Sequence, residues 1–187
     1  PFWEKSAADF FSGLALGLFE DAKESQINLN SINYMSTVGE ENFATSNYTK
    51  EYFMLKGEDS SAYVFASNTI NAPNETKGSI LSVFRQKIRL FASREQLSEM
   101  LSYSDFNMED IGRQKTAVFM IIHDEKTTYH ALATIFLKQA YETLIDVAQN
   151  SPKGRLPYRT NFILDEFANM PPLKDVTTMV TAARSRA

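Results

Sequence analysis

The sequence predicts a mixed fold: an all-α block over residues 1–104, followed over 105–187 by a partial α/β segment with parallel strands. Three observations predict it. Up to about residue 104, apolar residues recur at three- and four-residue steps between short polar links. Two continuous apolar runs, 116–122 and 161–164, occur only after Asp105. A long helical pattern, 127–150, separates these two runs.

The helical block reads element by element. Trp3, Ala7, Phe10, Phe11, Leu14 and Leu18 form one helical stripe, expected in the core. Gly13 and Gly17 lie four apart in it, either admitting a neighbouring helix closely or simply tolerated. Asn28 caps a short helix with Leu29, Ile32 and Met35 inward, ended by Gly39. Thr49 caps the next, carrying Tyr52, Phe53 and Leu55 to Gly57. Ser60 or Ser61 starts a helix with Ala62, Phe65, Ala66 and Thr69 on one side. After the break at Pro73, Asn74 caps a long helix whose inner face is Ile80, Val83, Phe84, Ile88 and Phe91. Its outer face is basic, with Arg85, Lys87 and Arg89, open to DNA, an acidic protein or water alone. Ser93 and Gln96 form a capping-box pattern for a last short helix.

In the second part, 116–122 and 161–164 read as strands buried on both faces, as in a parallel sheet. The helix between them carries Ala131, Ile135, Leu137, Ala140, Tyr141, Leu144 and Val147, a wide apolar surface expected to be mostly buried. Strand, helix and strand of these lengths make a right-handed βαβ unit.

Composition excludes several function classes. No cysteine is present, so disulfides and thiolate metal sites are ruled out. The net charge of −4 does not suit a broad nucleic-acid surface. No apolar run reaches the roughly 18 residues of a membrane span, and the start is not a signal peptide. Opening at Pro1 and stopping after Arg184-Ser185-Arg186-Ala187, the sequence reads as a piece of a longer protein. The sequons at Asn47 and Asn74 read as chance.

The chemistry concentrates at the end of the second apolar run, Phe162-Ile163-Leu164-Asp165-Glu166. In P-loop ATPases a buried strand ends in such an acidic pair, the Walker B motif, at the nucleotide crevice. The first carboxylate holds Mg²⁺ through water, and the second orients and deprotonates the attacking water. The companion G-x-x-x-x-G-K-[ST] loop is absent. The reading requires 116–122 and 161–165 to share one parallel sheet. Arg184 and Arg186 fit either γ-phosphate sensing at a subunit boundary or ordinary helix-end cations. Gln139 and His130 read as packing or hydrogen-bonding residues.

Pro1-Phe2-Trp3-Glu4-Lys5-Ser6-Ala7 resembles the start of the helical insertion in type IV coupling proteins, the TraG/TraD-type conjugation ATPases. The run 115–122 with Tyr129-His130, Gln139 and Tyr141 is similar to that family's strand and following helix. The strongest likeness is Leu164-Asp165-Glu166-Phe167-Ala168-Asn169, with Ala183-Arg184-Ser185-Arg186 downstream. His123-Asp124 departs from the family's usual residues after the first strand, and His123 is assigned no role. The resemblance implies an all-α domain, 1–104, that recognises substrate and is inserted into a RecA-like nucleotide-binding domain, here partial over 105–187. It implies a homo-hexameric DNA-pumping ATPase at the inner face of a bacterial membrane, held by an anchor absent from this sequence. Its partners would be a relaxase or relaxosome, secreted effectors, DNA, and other type IV secretion ATPases and channel components. ATP and Mg²⁺ would be cofactors of the full-length protein, with Asp165 holding Mg²⁺ through water and Glu166 as catalytic base. Two alternatives stand beside it: a pure protein-docking module without activity, and a hexameric pump of the FtsK or HerA type.

Overall fold

The structure, a computed structural model, describes residues 2–92, 94–122, 127–165, 167, 170–171 and 176–184; at 90, 92, 127, 128 and 184 it describes the backbone alone. The chain divides into two compact units, Pro1–Ser104 and Asp105–Ala187. Each is described by itself.

The first unit is helical: α1 (Phe2–Asp21), α2 (Leu29–Thr37), α3 (Tyr48–Lys56), α4 (Ser61–Ile70), α5 (Asn74–Ala92) and α6 (Glu95–Met100). Its core gathers Ala7, Phe10 and Leu14 of α1, Ile32, Phe53, Ala62, Ala66 and Ile70, and Ile80, Leu81, Phe84 and Ile88 of α5. The α1 stripe thus meets the α5 stripe, and Phe10 stands edge-on to Phe84 with ring centroids 5.3 Å apart. Phe10, Phe53 and Phe84 are almost wholly buried, and each such side chain contributes roughly 1.5–3 kcal/mol of burial free energy.

Gly13 sets the approach of α1 to α4. A Cβ there would lie 2.9 Å from the Ala62 carbonyl oxygen, the Ala66 amide nitrogen and the Ala66 Cβ. Two of these three are backbone, so the helices themselves would have to part. Gly17 makes room instead for Tyr52, whose hydroxyl would sit 2.6 Å from an added Cβ.

Several caps fall where side-chain chemistry dictates. Asn28 accepts the Ser31 amide at 3.0 Å and starts α2. Asn47, not Thr49, caps α3, accepting the Lys50 amide at 2.8 Å. Thr49 is buried and donates to the Met35 carbonyl at 2.9 Å, tying α3 to α2. Ser60 precedes α4, but its hydroxyl makes no cap bond. The first bond of α5 runs from the Lys77 amide to the Pro73 carbonyl at 2.8 Å, moving the cap one residue before Asn74. Ser93, expected as a cap, lies outside the described residues; Arg94 precedes α6.

Three expected core positions are corrected. Trp3 is 43% exposed, its ring edge-on to the likewise exposed first residue of α1, Phe2, rather than to the core that Ala7, Phe10 and Leu14 enter. Phe65 and Leu55 are exposed as well, since Ala62, Ala66 and Phe53 take the inward positions of α4 and α3. The chain also forms a short hairpin that the sequence pattern did not signal, β1 (Asn42–Phe43) and β2 (Ser46–Asn47), antiparallel with Phe43 opposite Ser46. Its turn places Ala44 at φ 50°, a left-handed conformation that usually selects Gly or Asn.

The second unit holds α7 (Asp110–Arg113), α8 (Thr127–Gln149) and α9 (Val176–Arg184). His130, Ala133, Ala140, Leu144, Val147 and Ala148 are the buried side of α8, whereas Ile135 is exposed. The wide apolar surface is therefore covered on one side. Gly112 of α7 packs under Leu144 and Leu156, and its carbonyl accepts the Tyr158 amide at 3.2 Å. Tyr141 donates to the Met179 carbonyl of α9 at 3.1 Å.

The expected parallel strands are not formed among the described residues. Residues 116–122 and 161–164 run as irregular backbone, and the hairpin of the first unit is the only strand pairing described. Phe119, Ile121 and Ile163 are 87%, 96% and 92% exposed. A parallel sheet needs cover on both faces, and here the apolar side chains of both runs lack it.

Three substitutions test this packing. Phe84→Ala should cost about 3–5 kcal/mol in denaturant unfolding; an unshifted midpoint would reject the α1–α5 seam. Alanine in a helix normally gains about 1 kcal/mol over glycine. Overpacking costs typically about 1–3 kcal/mol, so Gly13→Ala should destabilise. Gly78 in α5 faces open space, so Gly78→Ala should stabilise; two shifts of the same sign would contradict the structure.

Candidate functional site

Asp165 sits in a turn directly after 161–164 and is exposed. Just beyond it, the Met170 amide donates to the Phe167 carbonyl at 3.2 Å. Glu166 and Arg186 lie outside the described residues, as does His123. Arg184 ends α9, and only its backbone is described. The predicted catalytic constellation is therefore not assembled by the described residues. No group of three or more metal-ligating side chains gathers among them, and the sequence offers no phosphate loop. Of the acidic pair expected at the nucleotide crevice, Asp165 alone lies among the described residues. Gln139 is exposed and His130 is buried on α8.

The basic face of α5 is partly consumed within the helical unit. Arg85 reaches across to α2 and donates to the Ser36 carbonyl at 3.0 Å. Lys87 pairs with Glu4 of α1 at 3.1 Å, the pair exposed to solvent and hence weak. Its partner's hydrogen bond and charge hold the Glu4 carboxyl below the ordinary glutamate range. Arg89 is exposed. A more enclosed pair lies elsewhere: Lys77 meets Glu40 at 2.6 Å, with both side chains nearly covered, and the Asn47 amide adds a bond to the same oxygen at 3.3 Å.

No sequence signal marks a concave surface in the helical unit. Two adjoining cavities, about 610 and 380 Å³, lie along the C-terminal end of α1, α2 and the start of α3, and share Tyr34, Met35 and Tyr52 as walls. At their centre the Tyr52 hydroxyl donates to Asp21 Oδ2 at 2.7 Å. Lys56 Nζ bonds both Glu20 (2.6 Å) and Asp21 (2.8 Å) and lies 5.5 Å from the Tyr52 ring centroid. Tyr48 stacks on Phe43 across the hairpin, centroids 4.5 Å apart. Burial, then the bond to Asp21, raises the Tyr52 phenol well above the ordinary tyrosine range. Burial alone would lower the Lys56 ammonium, but the bonds to Asp21 and Glu20 outweigh it and hold it above the ordinary lysine range. The same bond from Lys56, and that from Tyr52, hold Asp21 low. Sequence reasoning took Tyr52 as packing and passed over Tyr34, Asp21 and Glu41. They are scattered along separate elements and share no spacing.

A mainly helical unit precedes an apolar run closed in sequence by the Asp165-Glu166 pair. The chain belongs to the type IV secretory system conjugative DNA transfer family, whose model matches residues 1–185. No curated protein and no solved structure matches it. Among the described residues, no helix is long and apolar enough to cross a membrane.

The three shifted groups give a pH signature. Unfolded tyrosine and lysine titrate near about 10 and 10.4, and aspartate near about 3.9. Tyr52 and Lys56, raised in the fold, contribute stability that is complete below those values and lost as pH rises through the folded ones. Asp21, lowered in the fold, contributes above about 3.9 and loses it as pH falls. Alkaline titration followed at 295 nm should therefore contain a late tyrosinate phase coincident with a falling Tm. Tyr52→Phe should remove that late phase; an unchanged titration would disprove the Tyr52–Asp21 assignment.

Proposed function

We propose that this chain is the substrate-recognition and motor-associated part of a type IV coupling ATPase. In this reading the helical unit, residues 1–104, captures a DNA–relaxase complex or a secreted protein. Residues 105–187 contribute part of a RecA-like nucleotide-binding domain with parallel strands. The assembled protein, a membrane-anchored homo-hexamer in a bacterium, uses ATP to deliver its cargo to the other secretion ATPases and channel components. The observation that carries the reading is the family match, which runs through both units from residue 1 to 185.

The exposed apolar runs support the motor half. Side chains such as Phe119, Ile121 and Ile163 are costly to leave in water, and their sequence suits strands flanked by further strands of a larger sheet. With that sheet complete, Asp165 and Glu166 would lie at a strand's carboxyl edge, the position where open α/β sheets bind ligands. Asp165 would then hold Mg²⁺ through water, Glu166 would serve as base, and Arg184 and Arg186 would be available to a neighbouring subunit. Lacking the loop whose backbone amides and lysine make most phosphate contacts, the 187 residues alone act as a docking module.

Two measurements test this. ATP binding by the 187-residue chain should be barely detectable by calorimetry, and tight binding would overturn the incomplete-site reading. In a longer parent that supplies the phosphate loop, Glu166→Gln should abolish turnover while nucleotide stays bound. Hydrolysis at the unaltered rate would remove Glu166 from the role.

A further inference from the structure

We propose that the loop between α8 and the second apolar run, residues 151–159, is a contact surface for the anionic headgroups of a lipid bilayer, through Lys153, Arg155 and Arg159 with Tyr158 among them. The surface is independent of nucleotide chemistry, so it and the ATPase reading can fail separately.

The loop is a tied-down turn that carries its cations outward. The Gly154 amide donates to the Ser151 carbonyl and the Arg155 amide to the Ser151 hydroxyl, each at 3.0 Å. Gly154 takes φ 64°, in the left-handed region, and a Cβ there would meet nothing within 4 Å, so the apex of the turn projects. Leu156 packs against Gly112 of α7. The Tyr158 amide donates to the Gly112 carbonyl at 3.2 Å, and the Thr160 hydroxyl to the Ile111 carbonyl at 3.4 Å. The backbone is thus held at both ends, while Lys153, Arg155, Tyr158 and Arg159 are exposed.

These charges are not offset. No Asp or Glu occurs from Val147 to Leu164. Among the described residues, none of the three cations pairs with a carboxylate, and neither does exposed Lys115 just past α7. The carboxylates of α7 are Glu109, paired with Arg113 at 2.8 Å, and half-buried Asp110. The second unit holds ten acidic and ten basic residues, so the attraction is local to this loop and not a property of the whole unit. Unpaired cations on a projecting turn suit an extended anionic surface, and a tyrosine ring beside them suits the headgroup level of a bilayer. Single-stranded nucleic acid is bound instead in a groove over successive aromatic rings. The loop offers one ring, Tyr158 at 42% exposure, beside a projecting apex.

The test sediments the 187-residue chain with vesicles of pure phosphatidylcholine, or of equal parts phosphatidylcholine and phosphatidylglycerol, at low and high salt. Each lysine or arginine beside an anionic surface is worth roughly fivefold in partition. Binding to the phosphatidylglycerol vesicles should therefore exceed binding to pure phosphatidylcholine by at least about 10-fold, and fall at high salt as the charges are screened. Lys153→Gln, Arg155→Gln and Arg159→Gln together should lower it by about 10-fold or more with unchanged Tm. Lys153→Arg, Arg155→Lys and Arg159→Lys together should retain it, and Arg89→Gln on α5 should leave it as it was. Exposed apolar side chains such as Phe119, Ile121 and Ile163 would attach the chain to either vesicle regardless of salt, so equal, salt-insensitive binding to both would overturn the proposal. Undiminished binding by the triple glutamine variant would do the same. So would tighter binding to a single-stranded oligonucleotide that the triple variant loses. If that variant has a lowered Tm, the lipid and salt dependence of the unaltered chain decides alone. None of these outcomes bears on the role of Glu166.

Discussion

The approach of α1 to α4 at Gly13 is the constraint on which the helical unit depends. With hydrogen in place of a side chain, the two backbones come within contact of each other, and Phe10 and Leu14 are carried into the space bounded by Phe53, Phe84 and Ile80. One turn further on, Gly17 leaves room for Tyr52, so the ring lies down against α1 and its hydroxyl reaches Asp21. The same two glycines therefore pack the core and shape one wall of the adjoining cavities. Close-packed interiors transmit such constraints because there is no slack to absorb a methyl group.

Charge is distributed by burial. Lys77 and Glu40 meet where both are nearly covered, joining the first turn of α5 to the turn after α2. Losing either partner there strands the other in low dielectric, which is the expensive case. Lys87 and Glu4 stand in water and are screened. Lys56 is intermediate, enclosed itself but held by two carboxylates that are half in solvent.

In the second unit, α8 is anchored on one side by α7 and Leu156 and carries α9 through Tyr141. The two apolar runs on either side of α8 in sequence lack such cover, and Phe119, Ile121 and Ile163 face water at nearly full exposure. Strand pairing is a non-local interaction. A run rich in valine, isoleucine and phenylalanine becomes a parallel strand only when neighbours supply both ladder partners and covering faces. The family match over residues 1–185 spans both runs and the Asp165-Glu166 pair that follows the second.

The helices α1, α2, α5 and α8 were legible because their apolar spacing and, for α2, the Asn28 cap are local signals. The hairpin escaped notice because its turn uses Ala44 without a glycine or asparagine at that position. At the start of α3 the sequence offers both Asn47 and Thr49 as caps, and packing settles it: Asn47 caps while Thr49 turns inward to Met35. Trp3, Phe65 and Leu55 were expected inside because hydrophobicity says what favours burial without saying whether a partner surface exists there. By itself, then, the sequence determined the helical periodicity, the acidic pair after an apolar run and the likeness to conjugative coupling proteins, since each is written in neighbouring residues. Tertiary structure alone decided that Tyr34 and Tyr52 wall two adjoining cavities lined by Asp21 and Glu41, and that Arg85 and Lys87 of α5 engage Ser36 and Glu4. Those groupings join residues far apart along the chain, and nothing but packing brings them within reach.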